Sequence, residues 1–143
     1  YCPDEVMVSE GVTALHSAEE LYATCDVVSL HIPATPETKG SINHELLTNM
    51  PKGALLVNTA RKEVINEDEL IQFMQERQDF RYVTDVMPAA DQKMNELFAG
   101  RYFSTPKKMG AQTAEANINA GIAAAKQIVD FIENGNTRFQ VNK

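Results

Sequence analysis

The chain has 143 residues, 43% of them hydrophobic and 23% charged, which is ordinary globular usage and excludes a disordered chain, a collagen or a coiled coil. Thirteen Lys plus Arg against 20 Asp plus Glu give a net charge of −7, so no overall basic field draws nucleic acid or an anionic membrane surface. No apolar run approaches the roughly 20 residues that span a bilayer, and the opening Tyr1-Cys2-Pro3-Asp4 has neither the basic nor the apolar region of a signal peptide. A cytoplasmic location follows as an expectation, with no nucleic-acid or membrane partner. Cys2 and Cys25 show no metal-ligand spacing with His16, His31 or His44, so no metal is expected and both thiols read as reduced and structural. The first residue is Tyr rather than Met, so a domain-sized length need not be a complete domain.

Ser17-Ala18-Glu19-Glu20 is a capping box, and Leu21, Tyr22 and Cys25 supply a short apolar helix face behind it. Val27-Val28-Ser29-Leu30 predicts a buried strand, closed by His31-Ile32-Pro33 because proline cannot continue inside a sheet. After the turn-rich Thr35 to Gly40, Asn43 caps a helix through Leu46, Leu47 and Met50, which Pro51-Lys52-Gly53 stops. Ala54 to Asn58 is apolar on both faces, as in a parallel strand covered on both sides. Asn66-Glu67-Asp68-Glu69 opens a helix with Leu70, Phe73 and Met74 on one face, ending near Arg77. Tyr82 to Val86 and Tyr102 to Thr105 read as a third and a fourth strand, and Pro88 to Gly100 between them as a loop. A long helix runs from about Thr113 to Asn134, with Ile118, Ile122, Ala125, Val129 and Ile132 at helical spacing and Gly135 as its terminator.

Strands alternating with helices predict an α/β fold with an open parallel sheet, right-handed crossovers and ligand chemistry at the carboxyl ends of the strands. Those ends carry His31-Ile32-Pro33, Asn58-Thr59-Ala60-Arg61, Asp85 and Lys107-Lys108. A guanidinium, a carboxylate and an ammonium gathered in one crevice suit an anionic substrate and proton transfer. Each also has a plainer reading: Arg61 as a solvated arginine, Asp85 as a turn cap, the lysines as a surface pair, and His31 as a packed, hydrogen-bonded side chain.

Three blocks carry a resemblance: Leu30-His31-Ile32-Pro33-Ala34-Thr35-Pro36-Glu37-Thr38-Lys39-Gly40, then Val57-Asn58-Thr59-Ala60-Arg61 with Ile65 and Glu69-Leu70, then Thr84-Asp85-Val86. In order and spacing they closely resemble the cofactor-binding domain of the NAD-dependent D-2-hydroxyacid dehydrogenases, and most of all the branch that oxidises 3-phosphoglycerate to 3-phosphohydroxypyruvate on the way to serine. The resemblance implies the second half of a Rossmann-like, parallel-sheet α/β NAD-binding domain over residues 1–134, with a long C-terminal helix and a tail at 135–143. It implies NAD as cofactor, a small anionic 2-hydroxy acid as substrate and a homodimer. Arg61 would hold the substrate carboxylate and polarise its carbonyl, with a fork of donors that lysine does not offer. The cofactor would lie against His31, Pro33, Thr59, Ala60, Arg61, Asp85, Lys108, Gly110 and Ala111, with Asp85 accepting from its carboxamide.

The chain departs from the family at the acid–base pair. The glutamate expected five residues after Asp85 is Ala90, with Asp91 beside it as an imperfect substitute. The expected histidine falls in Thr105-Pro106-Lys107-Lys108-Met109-Gly110-Ala111-Gln112-Thr113, at Lys108 counting back from the glycine and at Lys107 counting forward from the proline. Both losses fit one explanation, because a lysine has no tautomer for a carboxylate to fix. The seven glycines contain no G-x-G-x-x-G, so the pyrophosphate turn of a dinucleotide fold is not in these residues and the isolated segment is expected to be inactive. Two alternatives remain: a dehydrogenase for another D-2-hydroxy acid, and a non-catalytic module that senses NAD(H).

Overall fold

A computed structural model describes residues 3–108 and 113–142, and the chain divides into two units, Tyr1–Lys107 and Lys108–Lys143. The first unit holds a four-stranded sheet of β1 (Val27–Leu30), β2 (Leu55–Asn58), β3 (Arg81–Thr84) and β4 (Tyr102–Ser104), all parallel and in chain order. Helices α1 (Asp4–Ser9) and α2 (Ala18–Thr24) precede the sheet, and α3 (His44–Thr48), α4 (Glu67–Glu76) and α5 (Asp91–Leu97) make the three crossovers. Crossovers of one hand that advance in one direction lie on one face of a sheet. Burial follows that rule: Val28, Leu30, Leu56, Asn58, Tyr82, Thr84 and Tyr102 are buried, whereas on the alternate face Val27 is 56% exposed, Phe103 is 59% exposed and Leu55 and Val57 are half-buried. The two-sided cover expected of β2 is therefore complete on one face only within this unit.

Local signals place most of these elements. Ser17 Oγ accepts from Glu20 N at 3.0 Å, but Glu20 returns its carboxylate to the His16 amide rather than to Ser17. Asn43 Oδ1 accepts from Leu46 N and Asn66 Oδ1 from Glu69 N, so both caps form as the sequence indicates. Behind them Leu46, Leu47 and Met50 pack with Leu70, Phe73 and Met74, and Phe73 meets Phe80 edge to face at 4.9 Å. β3 starts at Arg81 and ends at Thr84, short of the expected Val86; beyond it the Thr84 hydroxyl donates to Asn58 O and accepts from Val86 N as the chain turns.

The segment Pro88 to Gly100 is not a loop: it contains α5. Its first residues give no cap signal, since Ala90 has no side chain to accept, and its apolar contact rests on Met94 and Phe98 alone. α1 is likewise short and buries nothing.

In the second unit α6 (Ala114–Asn134) has Thr113 Oγ1 accepting from Ala116 N. Gly135 turns the chain at φ +67°, a left-handed conformation that glycine adopts without strain. Asn134 and Asn136 both donate to the Asp130 carboxylate, which holds its pKa below the ordinary value. No helix among the described residues is long and apolar enough to cross a membrane.

Candidate active site at the carboxyl ends of the strands

The register brings the site residues to one level. Leu30 pairs with Asn58, Asn58 with Thr84 and Thr84 with Ser104, so His31, Thr59, Asp85 and Thr105 each stand one residue beyond the same row. Parallel strands ending together leave their loops on one rim, where α/β folds bind ligands.

Asn58 shapes the loop that carries Arg61. It is fully buried, its Oδ1 accepts from Ala60 N at 3.0 Å and its Nδ2 donates to Arg61 O at 3.0 Å. Its own carbonyl accepts from the Thr84 hydroxyl at 2.8 Å and from Asp85 N at 3.2 Å. One residue therefore ties the second strand end to the third. Arg61 is exposed, with Nη1 donating to Ala60 O at 2.8 Å, so its guanidinium keeps further N–H groups for an anion. Thr59 is half-buried and Ala60 buried beside it.

Asp85 follows β3 and is half-buried as a residue, but its Oδ1 is buried and has no hydrogen-bond partner among the described groups. A carboxylate oxygen can only accept, and leaving one buried and unpaired costs ~1–3 kcal/mol. An N–H donor from a bound molecule would repair that, and the carboxamide of a nicotinamide is such a donor. The residues present fit the cofactor at this point.

His31 is exposed, with its Nε2 3.0 Å from Ser29 Oγ, and it borders a cleft of about 920 Å³ together with Val28, Ser29 and Leu30 of β1, Tyr22 of α2 and residues of α3. Pro33 is exposed, and its carbonyl accepts from Thr38 Oγ1 at 2.6 Å, which closes the turn-rich loop. Lys107 is exposed and its carbonyl accepts from Thr105 Oγ1 at 3.1 Å, whereas Lys108 is half-buried and opens the second unit. Gly110 and Ala111 lie outside the described residues.

Asp91, the imperfect substitute for the absent glutamate, is engaged within the fold. Its Oδ1 accepts from the Tyr102 and Ser104 hydroxyls and its Oδ2 from Asn95, so the carboxylate is spent fastening α5 to β4. Burial, and then the Asp91 carboxylate, push the Tyr102 phenol above its ordinary pKa. Two residues to which the sequence assigned no role also build the site. Asn58 had a visible signal, a polar side chain in phase with Leu56 on the inward face of an apolar strand. Glu67 had none: its Oε1 and Oε2 accept from Ala89 N and Ala90 N, both at 3.0 Å, more than twenty residues along the chain.

Comparison with known proteins gives this rim a family. D-3-phosphoglycerate dehydrogenase of Haemophilus influenzae is 37% identical over 134 residues, which cover 90% of this chain and 32% of that protein. The Methanocaldococcus jannaschii protein of the same name is 36% identical over 129 residues, 90% of this chain and 24% of its own length. The crystal structure of cofactor (NAD+) bound 3-phosphoglycerate dehydrogenase from Entamoeba histolytica superposes with a TM-score of 0.77 at 53% identity, over 90% of this chain and 42% of that one. The chain thus spans a third or less of these two curated relatives. Residues 2–106, which include every strand and the Asn58, Arg61 and Asp85 loops, match the family described as D-isomer specific 2-hydroxyacid dehydrogenase, NAD binding domain, and the chain belongs to that family.

Proposed function

We propose that these residues form part of an NAD-dependent oxidoreductase that oxidises 3-phosphoglycerate to 3-phosphohydroxypyruvate, with a lysine as the group that takes the substrate's hydroxyl proton. The observation that carries the substrate is the 53% identity to the Entamoeba histolytica enzyme over 90% of the chain. The unpaired, buried Asp85 Oδ1 supports the cofactor. NAD, when bound, supplies the hydride acceptor.

The chain's own groups do the rest. The Arg61 fork binds the substrate carboxylate with two parallel N–H bonds and draws electron density from the neighbouring C–O bond, a geometry that favours the carbonyl product. Asp85 accepts from the carboxamide and fixes which way the nicotinamide ring lies. Asn58 holds the Ala60–Arg61 backbone so that neither Arg61 nor the loop against the cofactor needs to be ordered when substrate arrives. Lys108 Nζ takes the proton from the substrate 2-hydroxyl as the C–H bond gives up its hydride, and returns it in the reverse direction; Lys107 is the alternative holder of that role. By the resemblance, the groups that hold the substrate phosphate belong to a substrate domain beyond these residues. The resemblance also supports a cytoplasmic homodimer.

Turnover by the full-length protein tests the substrate. With NAD supplied, 3-phosphoglycerate is expected to exceed lactate, glycerate and 2-hydroxyglutarate by about a hundredfold or more in kcat/KM, because a site built to pair a phosphate is left unpaired by substrates that lack one. Turnover of another acid in its place overturns the substrate, and NAD binding without turnover of any of them overturns the enzyme in favour of a sensing module.

A further inference from the structure

We propose that Glu67 is a positioning residue for the cofactor: its carboxylate fixes the loop that carries Asp85, and so sets the preference for a dinucleotide bearing a carboxamide. The inference rests on the reading of Asp85 as the carboxamide acceptor and goes beyond it.

After β3 the chain must cross the rim and enter α5 without leaving backbone amides bare. Asp85 N reaches Asn58 O and Val86 N reaches the Thr84 hydroxyl, which secures the beginning of the loop. At its end Asp91 N reaches Pro88 O at 3.4 Å, but Ala90, at the cap position of α5, offers no side-chain acceptor. Glu67 fills that gap from another element, with one carboxylate oxygen on Ala89 N and the other on Ala90 N. Bonds from an ionised acceptor to two adjacent amides are stronger than neutral ones, and both must be aligned together. Only Met87 and Pro88 separate the two secured ends, so releasing Ala89 and Ala90 loosens the segment that aims Asp85.

The grip is itself anchored. Glu67 is the first residue of α4, whose start is fixed by the reciprocal bonds of Asn66 and Glu69. Six residues before Glu67 lies Arg61, joined to α4 through the short 3-10 turn Lys62–Val64. The carboxylate therefore couples the loop that presents the arginine to the loop that presents the aspartate. Gln cannot replace it, because its single oxygen satisfies one amide while its NH2 group faces the other donor.

Dissociation constants measured by calorimetry on the full-length protein test this with three probes: NAD, its 3-acetylpyridine analogue, in which a methyl group replaces the amide NH2, and ADP-ribose, which lacks the ring. The wild type is expected to prefer NAD to the analogue by about tenfold, the worth of one hydrogen bond to a charged group. Glu67→Gln and the shorter Glu67→Asp are expected to bring that preference to within about twofold, as Asp85→Ala does, with ADP-ribose affinity unchanged. Amide exchange at Ala89 and Ala90, slow in the wild type without cofactor, is expected to speed up in both variants. A full preference retained in Glu67→Gln overturns the positioning role while leaving Asp85 in place. Loss of ADP-ribose binding along with NAD overturns it in favour of a general effect on the fold. A wild type that binds both dinucleotides alike overturns the Asp85 reading itself, and the role of Glu67 with it.

Discussion

Replacing Asn58 by Leu separates hydrogen bonding from packing at the centre of the site. The two side chains are close in volume, so no large cavity opens, and what is lost is the pair of bonds to Ala60 N and Arg61 O. Asn58 is fully buried and Ala60 nearly so, which leaves the Ala60 amide without water as a substitute; such a group costs ~1–3 kcal/mol. Arg61 is exposed, so its carbonyl can hydrate, and losing that bond costs only ~0.5–1.5 kcal/mol. Burying leucine in place of an amide returns part of this, and the expected net loss is about 2 kcal/mol. Urea unfolding of the full-length protein should show it as a lower midpoint at unchanged slope. Because the same bonds set the Arg61 backbone, kcat/KM should fall by tenfold or more, for a misplacement of about 1 Å already costs a hundredfold. Asn58→Asp sharpens the test: it keeps the acceptor for Ala60 N and sets a carboxylate oxygen against the Arg61 carbonyl, so it should be at least as damaging. An Asn58→Leu protein with an unchanged midpoint and full activity would refute the argument that this amide builds the loop.

Arg61→Lys keeps the charge and loses the planar fork; KM for the 2-hydroxy acid should rise by about tenfold or more, and an unchanged KM would remove Arg61 from carboxylate binding. Asp91→Ala strands the buried Tyr102 hydroxyl and should lower stability by about 1–3 kcal/mol without slowing hydride transfer; a slowed chemical step with intact stability would restore Asp91 to the acid–base machinery. Arg77 and the Gly53 amide hold the Asp79 carboxyl well below the usual carboxylate range. Its folded pKa lies under the unfolded value of about 3.9, so the stability it adds is present above that pH and is lost as pH falls through the folded value. Asp79→Asn should therefore lower the urea midpoint at pH 7 more than at pH 2, and an equal loss at both would contradict the pairing.

The sequence carried the fold wherever a local signal and a tertiary need coincide. Ser17, Asn43, Asn66 and Thr113 each cap the helix that their position announces, and Gly135 ends the last one. The ends of β1 and β2 were legible because an apolar run stops at a polar segment that cannot continue the strand, as at Leu30 before His31-Ile32-Pro33, whereas β3 ends at Thr84, short of the Val86 that its apolar run suggests. What was hidden depends on partners distant in the chain. α5 has an alanine at its cap position, and the Ala89 and Ala90 amides ahead of it are held by Glu67 from another helix, so no window around residue 90 reveals it. Asp91 looked like a spare carboxylate because its partners, Tyr102 and Ser104, arrive only when β4 adds to the sheet. The one-sided burial of β2 is also a property of the crossovers rather than of its residues, which are apolar on both faces. The position of Arg61 and Asp85 beyond the strand ends was legible, whereas the bonds of Asn58 and Glu67 that hold their loops were not.

The rate of hydride transfer in a single turnover, measured on the full-length protein with 3-phosphoglycerate and NAD, tests the lysine reading most directly. Lys108→Ala is expected to slow the chemical step by about a hundredfold or more, the usual contribution of a positioned acid or base, while Lys107→Ala stays within about threefold of the wild type. Wild-type rates in both variants would contradict a lysine-dependent dehydrogenase.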